Sequence, residues 1–345
     1  MTKIFSSITK IIQSGNINQN ASCSEVLEIA YGVDKEFLFG AAISMQSIAL
    51  YNSNVALNFH VFTDFIDDDY IKRINGFTQK NVNITVSVYL VSKELAKTFP
   101  SSKQWSYATF FRFVAFQYLS ETCATLLYID ADVICKGKLT GLLDIDLTTD
   151  KFAAVVRDVP FMQDKPAKRL NLPGLPGNYF NAGVMFLKLA EWRKRDLMSL
   201  AIKMLADDPL HLKYKCLDQD ILNILLFEHC VFISNDYDCF YGVDYELKNK
   251  SDYDYKKVIT EDTKLIHYVG VTKPWHDWVD YPCQKYFFDA YDSSCWSDVP
   301  LLPANGEKQF QVKSRHYWKN RFYFSSIICF AKYRVMKFFR KYVGN

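Results

Sequence analysis

The sequence contains no apolar run near the roughly 20 residues that a helix needs to cross a bilayer, so no membrane span is expected. Residues 1–20 carry lysine and isoleucine but no uninterrupted apolar stretch of signal-peptide length, which argues against a secretory leader. The nine cysteines include no Cys-x-x-Cys pair. An odd, scattered set fits neither a disulfide framework nor a zinc ribbon and points to a reducing cytoplasm. Excess charge is lacking too: a net +3 gives no case for nucleic acid as a partner, although it hides a local asymmetry at the C-terminus.

Apolar and aromatic residues are plentiful. With 345 residues, 49% hydrophobic and 16% aromatic, the chain can bury a large core as one domain, or one domain plus an appendage. Strand and helix patterns alternate. Glu25–Tyr31 predicts a strand closing on Gly32-Val33-Asp34, and Phe37, Leu38, Ala41 and Ile48 make the apolar stripe of a following helix. A strand over Asn58–Asp64, a helix from Ile71 to Phe77, a strand at Ile84–Val91 and a helix from Tyr107 to Leu119 come next. Phe152–Val156 predicts another strand, ending at Arg157-Asp158. This order implies right-handed crossovers and a doubly wound α/β sheet. The stretch from Gln163 to Asn178, with three prolines and two glycines, predicts a surface connection or a lid.

The chemistry centres on Thr125-Leu-Leu-Tyr-Ile-Asp130-Ala131-Asp132. Its apolar start predicts a strand covered on both faces, and the i, i+2 spacing places both carboxylates on one side at the strand's end. Ligands bind at the carboxyl edge of open α/β sheets, and two hard oxygens there suit a divalent cation holding a diphosphate. A cap and a solvated aspartate are the plain alternative. Three later stretches add to it. Asn181-Ala-Gly183 puts small residues at the start of the strand Val184–Leu187, where backbone can approach a ligand. Asp218-Gln219-Asp220 opens a helix over Ile221–Phe227, where acidic residues also serve as plain caps. His267-x-x-Gly270-x-x-Lys273 supplies a nitrogen ligand, a flexible turn and a phosphate-pairing cation within seven residues.

Taken with Gly32-Val33-Asp34 and Arg112, these motifs occur in an order and at spacings that resemble the retaining glycosyltransferases of family 8, from roughly Glu25 to Cys283. That family includes glycogenin and the lipopolysaccharide hexosyltransferases, and the resemblance is greatest to the enterobacterial lipopolysaccharide core enzymes. It implies a GT-A fold and a UDP-sugar donor, UDP-glucose or UDP-galactose, held with Mg²⁺ or Mn²⁺ by Asp130, Asp132 and His267. It further implies that Tyr31, Gly32 and Val33 receive uracil and ribose with Lys35 close by. Arg112, Ala131, Asp158 and Asn181 would lie around the donor, and Gly270 and Lys273 on its phosphates. Relatives often carry an acidic or amide side chain where Val33 stands, so uracil contacts here would come from backbone. Gln219 matches the residue nearest the anomeric carbon, with Asp218 beside it as an orienting group or, less naturally, a nucleophile. The acceptor implied is the lipopolysaccharide outer core, met at the cytoplasmic face of the inner membrane. A haloacid-dehalogenase-type phosphatase using Asp130, or a sugar-nucleotide sensor without catalysis, would share parts of the pattern.

Residues 1–24 are thus expected as an extension, 25–295 as the catalytic domain and 296–345 as a membrane-associating region. From Lys313 onward the chain has no acidic residue and interleaves Arg315, Lys319, Arg321, Lys332, Arg334, Lys337, Arg340 and Lys341 with aromatics. In helical register Phe324, Ile327, Ile328, Ala331, Val335, Phe338 and Phe339 form one apolar face, the pattern of a helix lying on an anionic membrane surface. Packing of that face on the catalytic domain is the competing expectation. Nucleic acid is not supported by any other feature.

Overall fold

The computed structural model describes residues 6–16, 25–100, 106–210 and 212–342. Parts of the expected N-terminal extension, 1–5 and 17–24, and the last three residues of the tail lie outside the described residues.

Strand β1 (Ile8–Ser14) is followed by β2 (Val26–Val33), α1 (Leu38–Tyr51), β3 (Ala56–Thr63), α2 (Asp68–Lys80) and β4 (Ile84–Val91). The predicted α/β alternation is present. Helix α2 starts where the Asp67 carboxylate accepts from the Tyr70 N–H at 2.9 Å, with Asp68 and Asp69 on the positive end of the helix dipole. A short α3 (Lys93–Ala96) and then α4 (Phe111–Leu119) lead into β5 (Thr125–Ile129) and β6 (Val133–Cys135). Beyond them come β7 (Ala153–Arg157), α5 (Pro160–Leu170), β8 (Phe180–Lys188), α6 (Leu189–Lys194), α7 (Leu197–Ala206) and α8 (Leu217–Leu225). The short strands β9 (Cys230–Phe232), β10 (Cys239–Phe240) and β11 (Leu265–His267) precede α9 (Lys285–Ser293), α10 (Glu307–Lys319) and α11 (Tyr323–Tyr342).

Eight strands form one sheet in the order β1-β4-β3-β2-β5-β8-β7-β9, and β10-β11-β6 form a second, small sheet. The pairs β4–β3, β3–β2, β2–β5 and β7–β9 are parallel, as a doubly wound sheet requires, while β1, β5 and β8 also make antiparallel pairs. The sheet therefore reaches into the N-terminal extension, since β1 pairs with β4 from Ile8 to Ser14. Side chains alternate across β2: Leu27, Ile29, Tyr31 and Val33 enter a core with α1, α2 and α9, whereas Ala30 enters the opposite core with α4 and α6 to α8.

Two expectations change. Helix α1 is buried on all sides from Leu38 to Ala49, not along one stripe, because the large sheet and α9 with β6 enclose it. The expected loop after Gln163 begins inside α5. Pro160 occupies the first turn, where its missing N–H costs nothing, and the helix ends at Asn171 in left-handed conformation (φ 53°). Pro166, one of the three prolines of that expected loop, lies buried within it.

Candidate active site

Strands β2, β5 and β7 end at one edge of the large sheet, and β8, running the other way, begins there. Gly32–Asp34, Asp130–Asp132, Asp158 and Asn181–Gly183 are thereby brought to a common edge. The strand β5 stops at Ile129, one residue before the first aspartate, so strand alternation is not what aligns the two carboxylates. Asp130–Asp132 form the turn that passes from the large sheet into β6 of the small one. Backbone bonds pin it: Asp130 N–H donates to Gly183 O (2.8 Å), Val133 N–H to Asp130 O (3.1 Å) and Tyr268 N–H to Asp132 O (2.9 Å).

Because β6 pairs with β11, His267 sits opposite Val133, and one ligand atom each of Asp130, Asp132 and His267 lies within 4.8 Å of the others. His267 Nε2 is 3.3 Å from Asp132 Oδ1, and its Nδ1 is 3.0 Å from Asp238 Oδ1. The fully buried Asp238 fixes the ring orientation, as carboxylates commonly do for metal-binding imidazoles. It was not among the residues expected from sequence. Gly183 lines the same space: a Cβ there would stand 2.4 Å from His267 Cε1 and 3.0 Å from Asp130 Oδ2.

Lys273 Nζ donates to Asp132 Oδ2 at 2.5 Å and to Tyr268 O at 2.9 Å. Burial would raise the Asp132 pKa, but the charges of Lys273 and His267 outweigh it and hold the carboxyl well below the usual range. Gly270 takes φ +99°, the left-handed conformation that glycine accepts without strain, in the turn leading to Lys273.

A second network adjoins the first. Arg112, 4% exposed, lies with Nη2 2.9 Å from Asp130 Oδ1 and Nε 2.9 Å from Asp218 Oδ2, and donates from Nη1 to Ala182 O. Burial raises the Asp218 carboxyl to about 6 in spite of Arg112. Gln219 is held at both ends, its Oε1 accepting from Ala182 N–H (3.2 Å) and its Nε2 donating to Asp158 Oδ2 (2.9 Å). Asn181 donates to the same Asp158 oxygen at 3.4 Å and accepts from Gly183 N–H at 2.7 Å. Burial also pushes the Asp158 carboxyl up. Five carboxylates (Asp130, Asp132, Asp158, Asp218 and Asp238) thus face two permanent cations, Arg112 and Lys273. The excess negative charge, the hard oxygens and one oriented imidazole fit a divalent cation of the Mg²⁺ or Mn²⁺ type.

The Tyr31–Val33 turn of the expected donor site presents backbone, not side chains. Tyr31 is fully buried, its hydroxyl 2.9 Å from Ser44 Oγ, and Val33 is buried as well, because both lie on the core-facing side of β2. Whatever this turn offers a ligand comes from its backbone, while the absent Cβ of Gly32 lets α4 pack closely, since it would stand 2.9 Å from Phe111 Cβ. Lys35 is exposed with Nζ 4.2 Å from the Phe65 ring centre. Ala131 is buried, its carbonyl against Gly40. Asp220, beside the catalytic candidates, is structural: it accepts from Tyr179 Oη at 2.7 Å and from Cys216 N–H at 2.8 Å.

Comparison with known proteins agrees with this geometry. The family model described as glycosyl transferase family 8 matches residues 28–279, and its C-terminal companion matches residues 281–337. A lipopolysaccharide 1,2-glucosyltransferase of Escherichia coli K12 is 38% identical over 93% of this chain and 94% of its own. A lipopolysaccharide 1,3-galactosyltransferase of Salmonella typhimurium LT2 is 36% identical over 90% of this chain and 91% of its own. Among solved structures, the galactosyltransferase LgtC with donor and acceptor sugar analogs superposes with a TM-score of 0.63 at 22% identity, covering 78% of this chain and 96% of that one. That likeness shows a shared GT-A fold, and the family match leaves no place for the phosphatase reading. The chain belongs to glycosyl transferase family 8.

Proposed function

We propose that this glycosyltransferase moves glucose or galactose from a UDP-sugar to the lipopolysaccharide outer core oligosaccharide, with retention and hence in alpha linkage. The observation that carries the reading is the convergence of Asp130, Asp132 and His267 at the carboxyl edge of the sheet, beside Lys273. The similarity to lipopolysaccharide glucosyl- and galactosyltransferases over nine-tenths of the chain supports the acceptor class.

Asp130, Asp132 and His267 would hold the divalent cation, which supplies Lewis-acid neutralisation of the diphosphate. Lys273 and the Gly270 turn bind the same phosphates, and Gly32 and the neighbouring backbone receive the nucleoside. Arg112, Asp158 and Asn181 shape the sugar pocket. Retention requires either a covalent intermediate or attack from the leaving-group side. Asp218 is a poor nucleophile: it is 4% exposed and its carboxylate is committed to Arg112. Gln219, an amide clamped by Ala182 and Asp158, is a poor one chemically. Front-face displacement follows, in which the departing phosphate oxygen accepts the acceptor's proton while Gln219 and Asp218 orient the groups around the anomeric carbon.

The tail fits the acceptor. Helices α10 and α11 form a hairpin, and Phe324, Ile327, Val335, Phe338 and Phe339 are each more than half exposed. The apolar face is therefore not spent on the catalytic domain. Arg334 and Lys341 are exposed in the same helix, and no helix among the described residues is long and apolar enough to cross a membrane. Such a surface matches an anionic bilayer, aromatics at headgroup depth and cations on phosphate. The proposed site of action is the cytoplasmic face of the inner membrane, where a lipid-anchored acceptor would be found by two-dimensional search.

Asp130→Asn tests the metal assignment. A neutral amide is a far weaker ligand for a hard cation, and Arg112 keeps Asp218 as its counterion, so the fold should survive while turnover is lost. Chelation by EDTA should abolish turnover of the unaltered enzyme and added Mn²⁺ should restore it. Near-normal activity in Asp130→Asn would remove the metal site from the account.

A further inference from the structure

Helix α10 does more than carry the hairpin. Its His316 is completely buried and reaches the segment that bears Lys273. His316 Nε2 lies 3.0 Å from Asp244 Oδ1, and its Nδ1 lies 2.9 Å from the Tyr281 hydroxyl. The other oxygen of Asp244 accepts from the backbone N–H groups of Val271 (3.2 Å) and Thr272 (3.3 Å). A Cβ on Gly270 would stand 3.2 Å from that same oxygen, so the carboxylate closes over the left-handed turn itself. Neighbouring bonds fasten the helix to the same two segments: Lys319 donates to the carbonyl of Glu246 and, at 3.1 Å, to that of Asn249, while Lys313 pairs with Asp277 at 3.6 Å. Within the hairpin, Ser326 of α11 donates to Ser314 O of α10 at 2.7 Å.

We infer that His316 is a positioning residue for the transfer reaction: through Asp244 it holds the Gly270–Thr272 turn in the shape that presents Lys273 to the donor's phosphates. The inference rests on the donor-binding reading proposed above. Hydrogen bonds run from His316 through Asp244 to Val271 and Thr272, one residue from Lys273, and α10 itself carries the link from His316 back to Ser314, where α11 is bonded. Lys273 in turn stands on Asp132. The buried imidazole can do what a short apolar residue cannot, since it donates to a carboxylate whose second oxygen is committed to two backbone amides. Without it Asp244 keeps its charge but loses the partner that fixes its angle, and the turn gains freedom that donor binding must then remove. The hairpin that reads as a membrane contact is, on this reading, also a wall of the donor site.

The test uses the full-length protein and UDP with Mn²⁺ as the probe, with binding measured by calorimetry and stability by thermal melting. Loss of one link in such a network loosens the turn that donor binding must then order, so His316→Ala should weaken UDP about tenfold. His316→Gln, which can still donate to Asp244, should return the Kd to within about threefold of the parent. Val312→Ala is the control, because it removes buried packing from the same helix without removing a side-chain hydrogen bond. It should lower the melting temperature and leave UDP affinity in place. The inference is overturned if His316→Ala melts lower yet binds UDP as the parent does. Equal loss of affinity in Val312→Ala also overturns it, since general loosening of the helix would then explain everything. A parent enzyme that binds no UDP with Mn²⁺ fails the donor reading itself, a result distinct from both.

Discussion

Gly183→Ala places a single methyl group against the His267 imidazole, with the side-chain oxygens of Asn181 and Asp130 next nearest at 2.9 and 3.0 Å. Glycine is not needed there for a left-handed conformation, because Gly183 lies within β8 and is not among the positive-φ glycines. The methyl carbon would stand 2.4 Å from His267 Cε1, whereas carbon atoms pack at about 3.5 to 4.0 Å. Relief takes a displacement of roughly 1 Å. Gly183 lies where β8 bulges away from β7, but its carbonyl accepts from Asp130 N–H (2.8 Å) and its N–H donates to Asn181 Oδ1 (2.7 Å), so the imidazole must give way and leave its position between Asp132 and Asp238. A misplacement of about 1 Å at a reacting centre costs on the order of 100-fold in rate, or about 2.7 kcal/mol of transition-state stabilisation. Overpacking should also take about 1 to 3 kcal/mol from stability. Turnover titrated with Mn²⁺, together with a melting curve, separates the two effects. Expected is a folded enzyme that needs far more Mn²⁺ and stays slow at saturation. A variant with the parent's Mn²⁺ dependence and a kcat/KM within about threefold would refute the placement of His267 in the site.

Four further expectations follow from the same geometry. Gln219→Ala should lower kcat much more than it raises the donor KM, because a clamped amide near the anomeric centre acts in the transition state; an effect on KM alone demotes it to a binding residue. Lys273→Ala should worsen both parameters, since a phosphate-pairing cation holds the donor and stabilises the leaving group, and steady-state kinetics showing only one change would contradict that role. His276, buried and accepting from Lys273 N–H at 3.0 Å, has its pKa lowered by burial and by Lys273 from 6.5 to about 3. Its folded value lies below the unfolded one, so the stability it contributes is present above pH 6.5 and is lost as pH falls toward 3, on the order of a few kcal/mol. Urea midpoints between pH 7 and 4 should fall more steeply for the parent than for His276→Gln, and equal slopes would sink the assignment. Ile327→Ser combined with Phe338→Ser and Phe339→Ser should release the protein from anionic vesicles and leave slow UDP-sugar hydrolysis intact. Vesicle binding unchanged at moderate salt would rule out α11 as the anchor. Substitution is preferable to cutting the chain after Gln311, which would also remove His316.

Much of the site was legible because its residues fall at strand ends, where a short motif keeps its geometry. Asp130, Asp132, Asn181, Gly183 and His267 could be named from local pattern alone. The reason given for the first pair needed revision, since the turn into β6 and not the pleat of β5 brings them together. Tyr31 shows the converse: adjacency to Gly32 does not decide which face of β2 a side chain takes, and period-2 alternation sends this one into the core, leaving backbone at the turn. Asp238 was invisible because its role depends on the parallel pairing of two very short strands, with Phe240 opposite His267, which leaves no periodic signal. Helix α5 was hidden by Pro166, a residue that usually ends a helix but here sits inside one. The tail was read correctly as amphipathic. What the sequence could not convey was that α10 is tied to the Gly270 turn through one buried histidine.

The most direct measurement of the central claim is transfer itself. The purified enzyme with Mn²⁺ would be offered UDP-glucose and UDP-galactose in turn, each with a truncated lipopolysaccharide core acceptor, and the new glycosidic bond read by NMR. Acceptor-dependent release of UDP from one of the two donors, with an alpha anomeric signal in the product, is the predicted result. A beta linkage would contradict retention, and failure of either donor to be consumed with any core acceptor would contradict the proposed reaction.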